Sequence, residues 1–457
     1  MRNALKVTRS ELFRGAGSFV SAAFLGDCVL GATRRKKRSH ATRRVKAARF
    51  VDAGPLSGAK LYEDVIAYYN LGEHRTATEP DLKTSQWLTD QFRAAGLRAT
   101  TQAFGLRQFF IHQTVLSIGA RNIRAFPLWY PRGTGPTPLR APLAVFKNAE
   151  PASVQGKIAV VAFPFDPRRA VVAGSGHAEV ILAAARSGAS ALVGVTEGPT
   201  KEIVALNSPA GAQPWPIPVV LVGERDKPGL ISAALTGSKA SLVVSGEEDQ
   251  DAKAKNVIAR LDRGKDLIVV STPQSGWFRC AGERGPGIAL FLGLARWASR
   301  RASGSSFLFV STSGHELGGV GMGAFLKELA PSPERVLCWI HLGAGIATYS
   351  WEETAAGLRR LREPDANRSL MTSPGLAPLL SASFAGLAGL TPTVERAVGE
   401  FEFILKAGYR TFGIAAGHRF HHTPADSPEM TGPEIIEPVG RAVVRTVEVV
   451  EAGGATR

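Results

Sequence analysis

The sequence is long enough for more than one folded domain and has an ordinary globular composition. It has 457 residues, of which 44% are hydrophobic and 21% are charged, and 49 are glycine. A chain of this length is expected to form two domains with a shorter segment beside them. This composition excludes a largely disordered chain, and the glycines predict many turns between strands and helices.

The net charge of +16 comes mainly from the amino-terminal segment. Residues 1–49 hold 13 Lys/Arg and two acidic residues, whereas the rest of the chain holds 42 and 37, a balance of only +5. That remainder has no arginine-rich face interleaved with aromatic residues. Its charge pattern therefore argues against a nucleic-acid partner.

Residues 1–49 are predicted to be an export-type leader followed by a basic linker. Residues 8–17 resemble a twin-arginine export signal in which Ser10 stands in place of the second arginine. The apolar run that follows, residues 18–32, is interrupted by Asp27 and is too short for a transmembrane span. We expect export to the periplasm or the extracellular space. The alternatives are a wrongly chosen start codon or a disordered tail, in which case the protein is cytoplasmic.

The body of the chain begins with residues 50–119, which are predicted to form two helices and a strand. Apolar residues recur at helical spacing around Val65 and again around Leu88, and Gly96 is a typical helix end. Residues 98–104 then have the composition of a strand. This segment is expected to fold together with the carboxy-terminal half of the chain.

Residues 120–249 have the pattern of a small inserted α/β domain. Short β-like runs lie at residues 157–162, 191–195 and 218–222, and an Ala-rich helix is predicted at residues 177–187. These elements resemble the protease-associated domain. Another small α/β insert is the alternative.

Residues 250–457 alternate between strands that are apolar on both faces and helices of ten or more residues. Together with residues 50–119, they predict a doubly wound, mostly parallel sheet with helices on both faces. The predicted strands are 267–272, 306–312 and 335–342, and the predicted helices are 286–300 and 318–329. In α/β sheets of this kind, reactive groups gather beyond the carboxyl ends of the strands.

Residues that suit a hydrolytic metal site follow those strand ends. Carboxylates and imidazoles occur there and in one late loop, and both are typical ligands of catalytic zinc. They are Glu283 beside Arg284, His315 beside Glu316, His341, and His422 in the run His-Thr-Pro-Ala-Asp of residues 422–426. Each alone has an ordinary explanation, such as a helix-dipole carboxylate, a surface ion pair or a polar loop.

The order of these motifs resembles the co-catalytic zinc aminopeptidases, a family with glutamate carboxypeptidase, glutaminyl cyclase and transferrin-receptor relatives. The resemblance covers roughly residues 56–450 and implies an aminopeptidase-like α/β domain with a protease-associated insert. By this resemblance, Glu283 occupies the position that bridges two metal ions. Glu316 corresponds to the carboxylate ligand of the second metal, and His422 to its closing ligand.

The chain departs from the family where the first metal would bind. The two ligand positions that belong to that metal alone hold Pro273 and Gly343, which have no donor side chain. The resemblance therefore implies a degenerate member with a single zinc ion, held by Glu283, Glu316 and His422. Three protein ligands with an open fourth position describe a catalytic zinc.

Three further residues are predicted to act beside that ion. His315 replaces the glutamate base of the family, and a neutral imidazole can accept a proton from metal-bound water. His341 lies two residues before Gly343 on a strand and therefore faces the same side, as a ligand, a substrate contact or a buried structural histidine. Arg284 could stabilise an oxyanion, bind a substrate carboxylate or brace its loop.

Three hypotheses about function follow. The first is a single-zinc hydrolase that acts on a peptide or amide bond of a small substrate. The leading alternative is a catalytically inactive pseudo-peptidase that serves as an exported binding or scaffolding protein. The third is metal-independent chemistry by His315, Glu316 and His341, for which the sequence offers no nucleophile motif. The insert is expected to cover the pocket mouth, and the oligomeric state is left open.

Overall fold

The computed structural model describes residues 54–147, 151–164, 176–302 and 304–454. The leader and linker predicted for residues 1–49 lie outside the described residues. Within the described ranges, no helix combines the length and the apolar character that a membrane crossing requires.

The described helices alternate with strands along most of the chain. The α-helices are α1 (Gly58–Tyr69), α2 (Glu79–Ala94), α3 (His177–Arg186), α4 (Lys227–Leu235), α5 (Gly285–Arg300), α6 (Val320–Glu328), α7 (Ala377–Ser383), α8 (Glu400–Lys406) and α9 (Pro433–Gly454). The strands are β1 (Arg98–Ile118), β2 (Arg121–Arg124), β3 (Phe126–Pro127), β4 (Leu139–Val145), β5 (Ile158–Pro164), β6 (Ala191–Glu197), β7 (Val219–Gly223), β8 (Lys239–Leu261), β9 (Leu267–Pro273), β10 (Ser306–Thr312), β11 (Val336–Leu342), β12 (Tyr349–Thr354), β13 (Gly357–Pro364), β14 (Ser369–Thr372), β15 (Pro392–Thr393) and β16 (Thr411–Ala415).

The central sheet is mixed and mostly parallel, as the sequence predicts. Strands follow in the order β15-β14-β16-β11-β9-β10-β8-β4-β5-β6-β7-β3, and β12 pairs only with β13. The run β16-β11-β9-β10 is parallel throughout, and β8 lies antiparallel beside β10. The predicted α/β fold class is therefore confirmed.

Two long strands connect the parallel run to a second sheet region. β1 and β8 pair antiparallel from Arg98 opposite Arg260 to Ile118 opposite Ala240. Beyond them, β4, β5, β6 and β7 form a second parallel run. This region has a hydrophobic core of its own, separate from the core around β9 and α5. The insert bounds of residues 120–249, and its identity as a protease-associated domain, stay predictions.

The first two predicted helices are α1 and α2, with Val65 and Leu88 on their buried faces. α2 begins with the residues Glu79, Pro80 and Asp81. Acidic side chains there interact favourably with the positive end of the helix dipole, and proline fits a first turn because its missing N–H is not needed.

Helix α5 is buried along most of its length and sets the position of the loop before it. Two of its glycines allow α1 to approach closely: a Cβ on Gly285 would lie 2.7 Å from Val65, and one on Gly293 would lie 2.7 Å from Leu61. On its other side α5 packs against the sheet, where Phe291 contacts Phe309 of β10. α5 therefore holds the loop after β9 rigidly at the carboxyl edge of the sheet.

Truncation of Phe291 tests this packing. The side chain is fully buried and meets Phe92 and Phe309 with ring centroids 5.1 and 5.5 Å away. We expect Phe291→Ala to lower the free energy of unfolding by about 3–5 kcal/mol, because it removes apolar contacts and leaves a cavity. Leu235→Ala, at a side chain that is 75% exposed, should change it by less than about 0.5 kcal/mol in the same denaturant titration. Equal effects of the two variants would contradict this account.

Candidate functional site

The predicted site residues lie at the carboxyl edge of the parallel strands. In chain order they are Glu283 and Arg284 between β9 and α5, His315 and Glu316 directly after β10, His341 near the end of β11, and His422 between β16 and α9. All are buried except His315, whose side chain is 18% exposed. The topology thus gathers at one edge groups that are up to 139 positions apart in sequence, between Glu283 and His422.

Arg284 lies between two buried carboxylates. Its Nη2 is 2.6 Å from Glu316 Oε1 and 3.0 Å from Glu283 Oε1. Its Nε donates to the Ser275 carbonyl at 2.8 Å. Burial lowers the pKa of Arg284, but the two carboxylates outweigh it and raise the pKa above its usual value. The guanidinium is therefore a fixed cation at the centre of the site.

Both oxygens of Glu316 have partners within the chain. Arg284 holds Oε1, and the Ser275 hydroxyl donates to Oε2 at 2.6 Å. Ser275 Oγ in turn accepts from the Gly314 N–H at 3.0 Å. Ser275 lies two residues after Pro273, in the stretch that follows the end of β9. The chain thus uses this stretch to bind Glu316.

Glu283 instead lies beside two adjacent histidines. His422 Nε2 is 3.4 Å from Glu283 Oε1, and His421 Nδ1 is 4.0 Å from Oε2. Each of the three residues offers one potential ligand atom, and these three atoms all lie within 4.8 Å of one another. Neither oxygen of Glu283 accepts a well-formed hydrogen bond from the residues described. His421 is not among the predicted ligands, because beside His422 it has the pattern of an ordinary polar loop.

The tautomer of His422 is fixed by the second sheet region. Its Nδ1 lies 2.9 Å from the Ala205 carbonyl, which can only accept, so Nδ1 carries the proton. Nε2 is then the ring nitrogen that faces Glu283, 3.4 Å from Oε1. A carboxylate beside an imidazole nitrogen is a pair that can bind a cation when that nitrogen carries no proton.

The charge states of Glu283 and His421 follow from burial and from their neighbours. Burial raises the pKa of Glu283, but Arg284, His421 and His422 outweigh it and hold the pKa well below its usual value. Burial, together with His422, lowers the pKa of His421 well below its ordinary range. At neutral pH the group therefore consists of a carboxylate and a neutral imidazole from His421.

The three donors do not converge as zinc requires. The rings of His421 and His422 are stacked, with centroids 4.0 Å apart and planes within 20° of parallel. Zinc binds imidazole nitrogen at about 2.0–2.1 Å along the lone pair, in the ring plane. A zinc ion placed about 2.0–2.1 Å from one nitrogen of each histidine would therefore lie outside the plane of at least one of the two rings. Arg284 also places a positive charge 3.0 Å from Glu283, so the arrangement does not fit zinc as it stands.

Asp426 fixes the loop that carries Glu283. Its carboxylate accepts the N–H groups of Gly282 and Glu283 at 2.7 and 2.9 Å. His418 Nε2 lies 3.6 Å from the same carboxylate. Burial lowers the pKa of His418, but Asp426 outweighs it and raises the pKa. The terminal aspartate of the His-Thr-Pro-Ala-Asp run therefore has a structural role here.

His315 and His341 form a second cluster around Glu400. His315 Nδ1 is 3.5 Å from Glu400 Oε1, and the carboxylate also accepts the Thr312 hydroxyl. His341 Nδ1 is 3.0 Å from Ser271 Oγ, and burial lowers its pKa to about 4. Its Nε2 lies 3.6 Å from the point where a Cβ atom would lie if residue 343 carried a side chain in place of Gly343. Glu400, which orients His315, is not among the predicted residues because it lies in a later helix.

A segment between β6 and β7 covers the site. The Ala205 N–H donates to the His422 carbonyl at 2.9 Å, and the Ser208 N–H donates to the Glu316 carbonyl at 2.9 Å. Trp277, which precedes Glu283, donates through Nε1 to Asn207 Oδ1 at 2.8 Å. Residues 203–208 are all buried. The second sheet region therefore closes over the charged groups, at the place expected for a pocket mouth.

The fold is similar to that of known peptidases, as three solved structures show. A zinc aminopeptidase from Bacillus subtilis is 17% identical, over 87% of this chain and 96% of its own, with a TM-score of 0.68. A peptidase M28 precursor from Shewanella amazonensis is 17% identical, over 86% and 93%, also at 0.68. An aminopeptidase from Aneurinibacillus sp. strain AM-1 is 17% identical, over 87% and 94%, at 0.59.

These similarities show that the chain has the fold of the zinc aminopeptidases, as the order of its motifs predicts. No family model and no curated protein matches the sequence. At 17% identity the shared fold leaves the chemistry of each site to be argued from its own residues.

A buried carboxyl group next to the site provides a pH-dependent test. Asp81 accepts from the Ser313 hydroxyl at 2.7 Å, from the Ala77 N–H at 2.9 Å and from Gln274 Nε2 at 3.2 Å. Burial nevertheless raises its pKa from 3.8 to about 7. A carboxyl whose folded pKa exceeds its unfolded value favours the folded state at low pH, and that contribution is lost as the pH rises through the folded pKa.

We therefore expect the free energy of unfolding to contain a component that declines between pH 3.8 and about 7. Asp81→Asn should remove this component, because an amide does not titrate in that range. Asp90→Asn, at an exposed position of the same helix, should keep it. Urea titrations at several pH values measure the slope, and an unchanged slope in Asp81→Asn would contradict the assignment.

Proposed function

We propose that this chain is a non-catalytic relative of the zinc aminopeptidases and serves as an exported binding or scaffolding protein. The observation that carries the proposal is the Arg284 guanidinium between Glu283 and Glu316. By resemblance these two carboxylates would share a metal ion. In this chain an arginine supplies the positive charge between them.

Arg284 already occupies the position between the two carboxylates. Removing one partner of a buried ion pair leaves an uncompensated charge and costs about 3–5 kcal/mol, so Arg284 is held firmly by its carboxylates. Two unit charges 4 Å apart interact by about 4 kcal/mol near a protein surface, so the guanidinium would repel a divalent ion at that distance by about 8 kcal/mol and offset part of the ion's attraction to the carboxylates. Zinc would have to displace the guanidinium before it could bind Glu316.

The surroundings of the site also support a non-catalytic role. Residues 203–208 bond through their backbone to both His422 and Glu316 and cover the charged groups on that side. An export signal in residues 1–49 remains a prediction from sequence, and with it the exported location.

The metal content of the purified protein tests the proposal. Prepared without chelator, the chain should hold far less than one equivalent of zinc. Arg284→Ala should gain up to one equivalent, because it leaves Glu283 and Glu316 uncompensated beside His422. Arg279→Ala provides a matched control, since Arg279 is exposed and lies over the ring of Tyr69. Elemental analysis after gel filtration measures the bound metal. One equivalent of zinc in the unaltered chain would overturn the proposal.

A second candidate is a single-zinc hydrolase of a peptide or amide bond, favoured by the carboxylate of Glu283, which accepts no well-formed hydrogen bond from the described residues and lies beside His421 and His422. The fold supports zinc as the ion, because the solved structures described above include zinc aminopeptidases. Here Glu283, His421 and His422 would hold zinc after a rotation of one ring, and zinc would polarise the scissile carbonyl.

This candidate makes its own prediction about ligands. If the unaltered chain holds zinc, His421→Ala should lose it and Glu316→Ala should keep it, because Glu316 is bound to Arg284 and Ser275. The sequence-based ligand set of Glu283, Glu316 and His422 predicts the opposite. Metal content and cleavage of a panel of amide substrates, measured on both variants, separate the two ligand sets.

A further inference from the structure

A separate cavity of about 800 Å³ lies at the opposite edge of the sheet, where the parallel strands begin. It is formed by the starts of β9 and β10, the end of β8, the end of α6 and the segment after α2. None of the site residues described above lines it. Its size is within the range of small-molecule pockets, about 300–1,000 Å³.

The floor of this cavity is apolar. Leu97, Leu267, Leu308 and Phe325 line it and are buried. At its edge Leu329 is 51% exposed and continues the apolar surface of the floor. An aliphatic chain lying here would cover that surface, with a gain of about 25 cal/mol for each Å² removed from water.

The rim of the cavity is basic. The described residues that line it include Arg93, Arg98, Arg260 and Arg335, and no acidic residue is among them. Arg98 and Arg260 both form ion pairs with the carboxylate of Asp262, which does not line the cavity. Arg93 donates to a backbone carbonyl, which leaves its charge uncompensated. The rim therefore has an excess of positive charge over an apolar floor.

We infer that this cavity binds an aliphatic carboxylate, with its chain on the leucine and phenylalanine floor and its head group at the arginine rim. A guanidinium binds a carboxylate through two parallel hydrogen bonds, which a neutral ligand cannot form. A nucleotide fits less well, because a floor of four apolar side chains gives a sugar no hydrogen-bond partner. The inference is independent of the proposed function, since the two sites share no residue.

Titration calorimetry on the full-length protein with dodecanoate, its methyl ester and acetate tests the inference. Dodecanoate should bind with one equivalent. The methyl ester should bind about tenfold more weakly, the size expected for losing one charge-assisted hydrogen bond, and acetate should give no measurable binding. Equal affinity for the acid and the ester, or no binding of dodecanoate, would overturn the inference.

Matched variants locate the ligand. Arg335→Ala should weaken dodecanoate binding about tenfold, for the same loss of a charge-assisted bond, whereas Arg140→Ala, at an exposed arginine of β4, should not. Leu329→Asp should weaken it further, and Leu235→Asp, at an exposed leucine of α4, should leave it unchanged. Thermal unfolding of each variant confirms that it is folded. The inference fails if the two aspartate variants, both folded, bind dodecanoate equally well.

Discussion

A buried guanidinium between two buried carboxylates joins the loops that follow β9 and β10. Arg284 and Glu283 come from the first loop and Glu316 from the second, and Ser275 extends the network back to the end of β9. Buried charges of this kind are costly unless each is paired and hydrogen-bonded. Since the three groups compensate one another, removing any one of them leaves another buried charge uncompensated. This mutual dependence fixes the carboxyl edge of the sheet and determines what else can bind there.

The same network connects the two sheet regions. Residues 203–208 belong to the second region, yet they bond to the backbone of His422 and of Glu316. The imidazole of His422 also bonds to Ala205, so its tautomer depends on the position of that segment. The charged groups and their cover are therefore one cooperative unit. A role in holding the two regions together follows directly from these contacts, whether or not a ligand is bound.

The fold was largely predictable from the sequence, whereas the pairing within the site was not. Strand 306–312 matches β10, because a fully buried parallel strand has a continuous apolar run. Strand 98–104 is only the start of β1, whose exposed and buried residues alternate irregularly along 21 residues. The partnership of Arg284 with Glu316 depends on two loops meeting in space. No local pattern encodes that meeting, although Arg284 directly after Glu283 indicates a positive charge close to that carboxylate.

The long antiparallel pairing of β1 with β8 limits how the two sheet regions can move relative to each other. These strands run from one hydrophobic core into the other and are paired along almost their whole length, with register shifts at two places, after Leu106 and after Ile111. Two domains joined by single flexible linkers can swing apart as rigid bodies, but a continuous antiparallel ribbon resists bending because its backbone hydrogen bonds would have to break. Access to the charged groups would therefore require a local displacement of residues 203–208. A hinge motion between the two sheet regions is not expected.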